Sequence, residues 1–85
     1  MVICHTREEV ERHASTGTLA GATIEDVALD GLDARGLDLA GVTLRRVSAR
    51  GARFSAATLT GARLEAVSLA GADLSGAHLE GATLL

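Results

Sequence analysis

Gly71-Ala-Asp-Leu-Ser-Gly-Ala-His-Leu-Glu-Gly-Ala-Thr-Leu84 reads Ala-x-Leu-x-Gly, and repeats it every five residues. Traced towards the N-terminus, the beat does not slip. Leu19, Ile24, Leu29, Ala34, Leu39, Leu44, Ala49, Phe54, Leu59, Leu64, Leu69, Leu74, Leu79 and Leu84 stand in one register. Two places before each stands a small or apolar residue, such as Ala22, Val27, Val47 or Ala77. Two places after stands Gly in nine of thirteen cases, which points to a turn in every unit. A fixed period of this kind outranks any local helix or strand assignment.

The period excludes the ordinary elements. An α-helix cannot keep residues five apart on one face, and a flat strand puts them on opposite faces. A chain that turns a corner every five residues can point both the central residue and the one two places before it inward on each side. Four sides close a coil of about twenty residues, and coils stack at about 4.8 Å, the inter-strand spacing. Inner columns then run Leu19/Leu39/Leu59/Leu79, Ile24/Leu44/Leu64/Leu84, Leu29/Ala49/Leu69 and Ala34/Phe54/Leu74. The outer residues support the same offset independently. Glu25/Arg45/Glu65, Asp26/Arg46, Asp30/Arg50 and Asp33/Arg53/Asp73 alternate in sign one coil apart. Most of these read as surface ion pairs, weak singly and stronger as a network. Arg35 and Arg63 have no acid in their columns and are the candidate partner-facing residues. Corners at Gly21/Gly41/Gly61/Gly81 and Gly31/Gly51/Gly71 should be type II. Gly36/Ala56/Gly76 is mixed, and Asp26/Arg46/Ala66, without Gly, predicts a different turn.

These units resemble the pentapeptide-repeat family, most clearly in Gly71-Ala-Asp-Leu-Ser-Gly76 and Ala77-His-Leu-Glu-Gly81. The resemblance covers residues 17–85 and implies an all-β fold: a right-handed quadrilateral parallel β-helix, a solenoid of about 3.5 coils. In the first half Leu32 precedes Ala34, and Val47 precedes Ala49, so large and small residues trade places within a side.

Residues 1–16 stand outside the repeat and read as an N-terminal cap, a short strand and helix. Thr6-Arg-Glu-Glu9 has capping-box spacing. A short helix should run from Arg7 to about His13 or Ala14, with Ser15-Thr16-Gly17 ending it. Val2, Ile3, Val10 and Ala14 are its apolar side. Covering the first coil is its expected task, since an open solenoid end is an exposed sheet edge. At the other end Leu69, Leu74, Leu79, Leu84 and Leu85 stand on an uncovered coil. Two copies meeting there would form an isologous homodimer, which the resemblance also implies; the alternative is docking on another protein.

Composition narrows the function. Net charge is −3, too weak to argue direct nucleic-acid binding, and without Trp or Tyr there is no stacking platform for bases. The single Cys4 needs no oxidising compartment, no apolar run approaches a membrane span, and Met1-Val-Ile-Cys4 is too short for a signal peptide. A soluble, cytoplasmic protein is expected. Ser15, Ser48, Ser55, Ser68 and Ser75 have no activating His or acid at recognisable spacing. Cys4, His5 and His13 match no common zinc motif, and His78 reads as a surface residue. The expectation is therefore a non-enzymatic structural or protein-interaction module, a rigid rod that self-associates or docks a protein partner, without cofactor or metal. Some pentapeptide-repeat proteins mimic DNA and bind type II topoisomerases such as gyrase. That alternative needs a long acidic face, and here the acids alternate with arginines. A role as accessory module of a secreted effector assembly is a further setting that the resemblance implies, and no residue here selects it.

Overall fold

The computed structural model describes residues 2–16 and 19–85. Met1 and Gly17, the expected start of the repeat and stop of the helix, lie outside the described residues. The order of elements is β1 (Ile3–Cys4), α1 (Arg7–Thr16), β2 (Thr23–Glu25), β3 (Thr43–Arg45), β4 (Arg63–Glu65) and β5 (Thr83–Leu84). The five strands form one sheet in sequence order, every pair parallel. Each register step is twenty residues: Cys4 pairs with Ile24, Ile24 with Leu44, Leu44 with Leu64 and Leu64 with Leu84. Isolated parallel bridges repeat the offset elsewhere in each coil, as Ala28–Ser48–Ser68, Asp33–Arg53–Asp73 and Asp38–Thr58–His78. Four ladders therefore share one offset.

The core is the predicted set of inner columns. Leu19, Ile24, Leu29, Ala34, Leu39, Leu44, Ala49, Phe54, Leu59 and Leu64 are all buried, joined by Ala22, Val42, Val47, Ala52 and Ala57 from the positions two before. Among the described residues no polar side chain is buried. Inter-coil hydrogen bonds run along the stack: the Leu29 amide donates to the Ser48 carbonyl at 2.6 Å, and the Ser48 amide to the Val27 carbonyl at 3.1 Å. The body measures 25 × 23 × 21 Å, as tall as it is wide. So few coils at strand spacing make a block rather than an elongated rod.

Two corner types occur, as the glycine pattern predicts. Where Gly stands third, the fourth amide donates back to the first carbonyl: Ala22 to Leu19 at 3.0 Å, Leu32 to Leu29 at 3.0 Å, Ala62 to Leu59 at 3.0 Å. Gly21, Gly31 and Gly61 hold φ of 74°, 72° and 71° there, as a type II turn requires. The corner at Asp26, Arg46 and Ala66 lacks that bond. Its third residue still holds positive φ, 56° at Asp26 and 53° at Arg46, and its amide donates to the coil above, Asp26 to Arg45 and Arg46 to Glu65, as the glycine amides do. Ala56 makes the glycine-type corner without glycine, at φ 60°, and Ala57 still donates to Phe54. A left-handed L-residue costs about 1–2 kcal/mol, against about 0.5–1 kcal/mol for the extra freedom of an unfolded glycine. Ala56→Gly is therefore expected to raise stability by up to about 1 kcal/mol, read as a shift of the urea midpoint at unchanged slope. A lower midpoint would show that the Ala56 methyl is needed.

The N-terminal segment departs from expectation in three ways. Val2–Cys4 carries a strand in the register of the repeat, one coil below β2, with Cys4 buried in the Ile24 column. Ile3, expected on the apolar side, is 49% exposed because Val2 and Cys4 flank it and face inward. The helix continues to Thr16 because the Ser15 and Thr16 hydroxyls donate back to the Arg12 and His13 carbonyls and keep the last turn. At its start the Glu9 amide donates to the Thr6 hydroxyl, and the Glu9 carboxylate accepts from both that hydroxyl and the His5 amide. One carboxylate thus caps the helix and blunts the outer edge of β1. These bonds hold the Glu9 carboxyl below its usual range.

Candidate functional site

Chain-long order fails only at the last rung. Leu59 and Leu64 are 3% exposed, whereas Leu79 is 37%, Leu84 64% and Leu85 68% exposed. Leu69 and Leu74 are half-buried against the core. Leu69, Leu74, Leu79 and Leu84 line a recess that reaches down to Leu44, Phe54, Leu59 and Leu64. The deeper residues were readable from the sequence, since each lies in a column with a rim leucine or one side away. Leu85 sits beside the recess, held by its amide to Leu64 and its carbonyl to Ala66.

Backbone groups are also open on this end. In the coils beneath, central residues and corner residues donate to carbonyls one coil above, as Phe54 to Asp73 at 2.7 Å and Gly61 to Glu80 at 2.8 Å. Their counterparts on the top rung are the amides of Leu69, Gly71, Leu74, Gly76, Leu79 and Gly81. With the carbonyls of Val67, Ala72, Ala77 and Ala82, they have no such partner among the described residues. An apolar centre inside a ring of free donors and acceptors is a surface suited to pairing.

The sides carry charge in ordered form. Arg45 Nε donates to Glu65 at 2.8 Å, and its Nη1 lies 3.5 Å from Glu25. Arg46 forks onto Asp26, Nε at 2.6 Å and Nη2 at 3.1 Å. His5 Nε2 lies 3.5 Å from Glu25, which extends the network onto the cap strand. Other columns differ from the predicted pairing. Asp30 is held by the Ser48 hydroxyl at 2.6 Å and the Arg50 amide at 2.8 Å rather than by the Arg50 side chain. Among the described residues Arg53 makes no ion pair; it acts on Asp33 and Asp73 only at a distance.

Arg35 and Arg63 are exposed, as expected of partner-facing residues, but both have an acid. Arg35 binds Asp33 bidentately at 2.8 and 2.9 Å, and Arg63 Nε donates to Glu65 at 2.7 Å. The acid stands two residues away along the same side, where extended backbone puts both side chains outward.

Hydrogen bonds from Arg35 draw the Asp33 carboxyl down to about 2. Bonds from Arg46 lower Asp26, bonds from Ser48 and the Arg50 amide lower Asp30, bonds from Arg63 and Arg45 lower Glu65, and bonds from Ser75 lower Asp73. Each carboxyl thus titrates lower folded than unfolded. The unfolded chain takes up protons first, so this stability is present above the ordinary carboxyl values of 3.8 to 4.5 and is lost as pH falls towards about 2. The melting temperature is expected to fall steadily below pH 4.5, with Asp33→Asn removing the lowest part of the fall. A flat profile over that span would show that the ladders add nothing to stability.

No chemistry converges here. Among the described residues no group of three His, Cys, Asp or Glu could hold a metal, and no helix is long and apolar enough to cross a membrane. Cys4 is buried beside α1, and burial raises its thiol above the usual range.

The family model for pentapeptide repeats matches residues 22–61 and 50–84, in eight copies. The chain belongs to the pentapeptide-repeat family. Solved pentapeptide-repeat proteins similar to it include one from the cyanobacterium Cyanothece 51142, at 22% identity and TM-score 0.39 over 78% of this chain and 58% of that one. Another, from Nostoc PCC 7120, is 28% identical at TM-score 0.35, over 95% of this chain and 77% of its own. HetL, involved in heterocyst differentiation regulation in Nostoc sp. strain PCC 7120, is 20% identical at TM-score 0.33, over 78% of this chain and 48% of its own. This pentapeptide-repeat chain therefore spans less than two thirds of two of these three. No curated protein matches it in sequence.

Proposed function

We propose that this chain is a non-enzymatic interaction module. It is a right-handed quadrilateral β-helix of about 3.5 coils over residues 17–85, with residues 1–16 as its cap, and it docks protein through its apolar end. Four ladders at one offset of twenty support four sides per coil. The observation that carries the function is the last rung, where Leu79, Leu84 and Leu85 stand exposed among free backbone groups. A second copy can meet that rung tail to tail in a contact that closes at two. The lone buried Cys4 suits a cytoplasmic setting. DNA mimicry has less support, because Arg45, Arg46 and Arg35 neutralise the acids beside them.

Light scattering over a concentration series tests the docking face. The wild type is expected to associate with concentration, and Leu79→Lys to remain monomeric with an unchanged circular dichroism spectrum. Association that survives Leu79→Lys would move the interface elsewhere.

A further inference from the structure

Charge in this solenoid is layered by coil. Residues 22–41 hold five acids and one arginine, residues 42–61 four arginines and no acid, and residues 62–81 three acids and one arginine. The layers interlock through Arg45 and Arg46, whose guanidinium groups reach acids twenty residues away in the neighbouring coils. Among the described residues the top layer has no such complement above it. Arg63 is already bonded to Glu65. Asp73 is held only by Ser75, and Glu80 is 70% exposed with the Thr60 hydroxyl and the His78 imidazole as its contacts. Among the described residues neither makes an ion pair with an arginine, Arg53 acting on Asp73 only at a distance, and both are exposed on the coil that carries the leucine recess.

We infer that this end is shaped for a protein surface that presents apolar side chains ringed by arginine or lysine, in preference to a second copy of the chain. The inference rests on the reading of the end as a docking face. A basic ring continues the alternation of the three coils beneath it, and complementary rims favour encounter and register. A second copy has only its own end to offer, since α1 covers the other one. Tail to tail, it brings Asp73 and Glu80 towards their own counterparts, where like charges oppose the contact.

A charge-reversed copy supplies the probe. Asp73→Arg with Glu80→Arg keeps the leucines and exchanges the acidic rim for a basic one. Glu80→Arg alone is the second probe, because it leaves the Asp73 bonds to Ser75 in place. Sedimentation of wild type, variant and their equimolar mixture is measured at neutral pH and low salt. The mixed pair is expected to bind at least about tenfold more tightly than either self-pair and to weaken as salt is added. Leu79→Lys in either member should abolish it. A wild-type self-pair as tight as the mixed pair and lost on Leu79→Lys overturns the inference while leaving the docking face intact. A mixed pair that survives Leu79→Lys overturns the docking face itself. A mixture that stays monomeric with both folded probes overturns the inference. So does a chain from its natural source with further repeats beyond Leu85, because its own next coil then occupies the face.

Discussion

Phe54→Ala is expected to cost about 3–5 kcal/mol of unfolding free energy, enough to leave most of a marginally stable domain unfolded. Phe54 is the only aromatic residue in the chain and is 3% exposed. It sits in the column above Ala34, which is fully buried and leaves the space the ring takes up. The ring lines both apolar recesses, one with Val10, Leu19 and Ile24 below, one with Leu64, Leu69 and Leu74 above. Hydrogen bonds clamp the coils from both sides, as from Ala34 to Arg53 at 2.7 Å and Phe54 to Asp73 at 2.7 Å, so the walls cannot close over the loss. Cavities that cannot collapse carry the larger penalties. Phe54→Leu keeps most of the volume and should cost less than about 1.5 kcal/mol. Urea unfolding of both variants provides the comparison. A drop for Phe54→Ala no larger than that for Phe54→Leu would mean that the ring is not what joins the coils.

Val10→Asp should have an effect of similar size and an additional consequence. Val10 is 1% exposed and packs with Leu19, Ile24, Leu29 and Leu32, so it anchors α1 over the first coil. A carboxylate there has no partner and costs several kcal/mol, which undocks the helix rather than burying the charge. Both ends of the stack are then open. Tail-to-tail contact closes at two copies, but head-to-tail stacking does not close and grows into filaments. Growth should be faster at high salt, which screens the acid-rich top rung from the acid-rich residues 22–41. Thermal unfolding measures the destabilisation, and static light scattering at low and high salt follows growth. Glu8→Ala, on the exposed side of the helix, is the control. If Val10→Asp stays monodisperse under both conditions, α1 is not what prevents end-to-end growth.

The repeat was legible because one residue per unit must face inward. That demand fixed the columns through Leu44 and Leu64 and the alternation of Glu25, Arg45 and Glu65, all of which the structure places twenty residues apart. Corners were legible where Gly marks positive φ. At Asp26 and Arg46, without Gly, the turn differs in lacking the bond back to the first carbonyl, although φ is positive there too. That the strand at Ile3–Cys4 keeps the register of the repeat is not evident in the sequence, although Val2 and Cys4 stand twenty before Ala22 and Ile24. A helix separates them from the repeat, and a two-residue strand carries too little pattern to be noticed alone. Arg35 and Arg63 have no acid along the stack, and their partners stand two residues away on the same side, where the coil offset gives no sign of them. The choice of Ser48 over Arg50 by Asp30 depends on side-chain geometry, which no period encodes. The apolar end could be named from the sequence, but its acidic rim emerged only when charges were sorted by coil.

The inter-coil hydrogen bonds all point along the stack, and this decides how the molecule answers to force. Tension applied through the two termini loads them one rung at a time, as in peeling tape, rather than sharing the load in shear. Extension should therefore proceed in steps of one coil, each releasing twenty residues, or about 70 Å of contour. Among the described residues the top coil is held from one side only, so it is expected to give way first. A partner seated on Leu79 and Leu84 would add the missing second side, and so would act as a clasp that sets the force at which the whole stack begins to unwind.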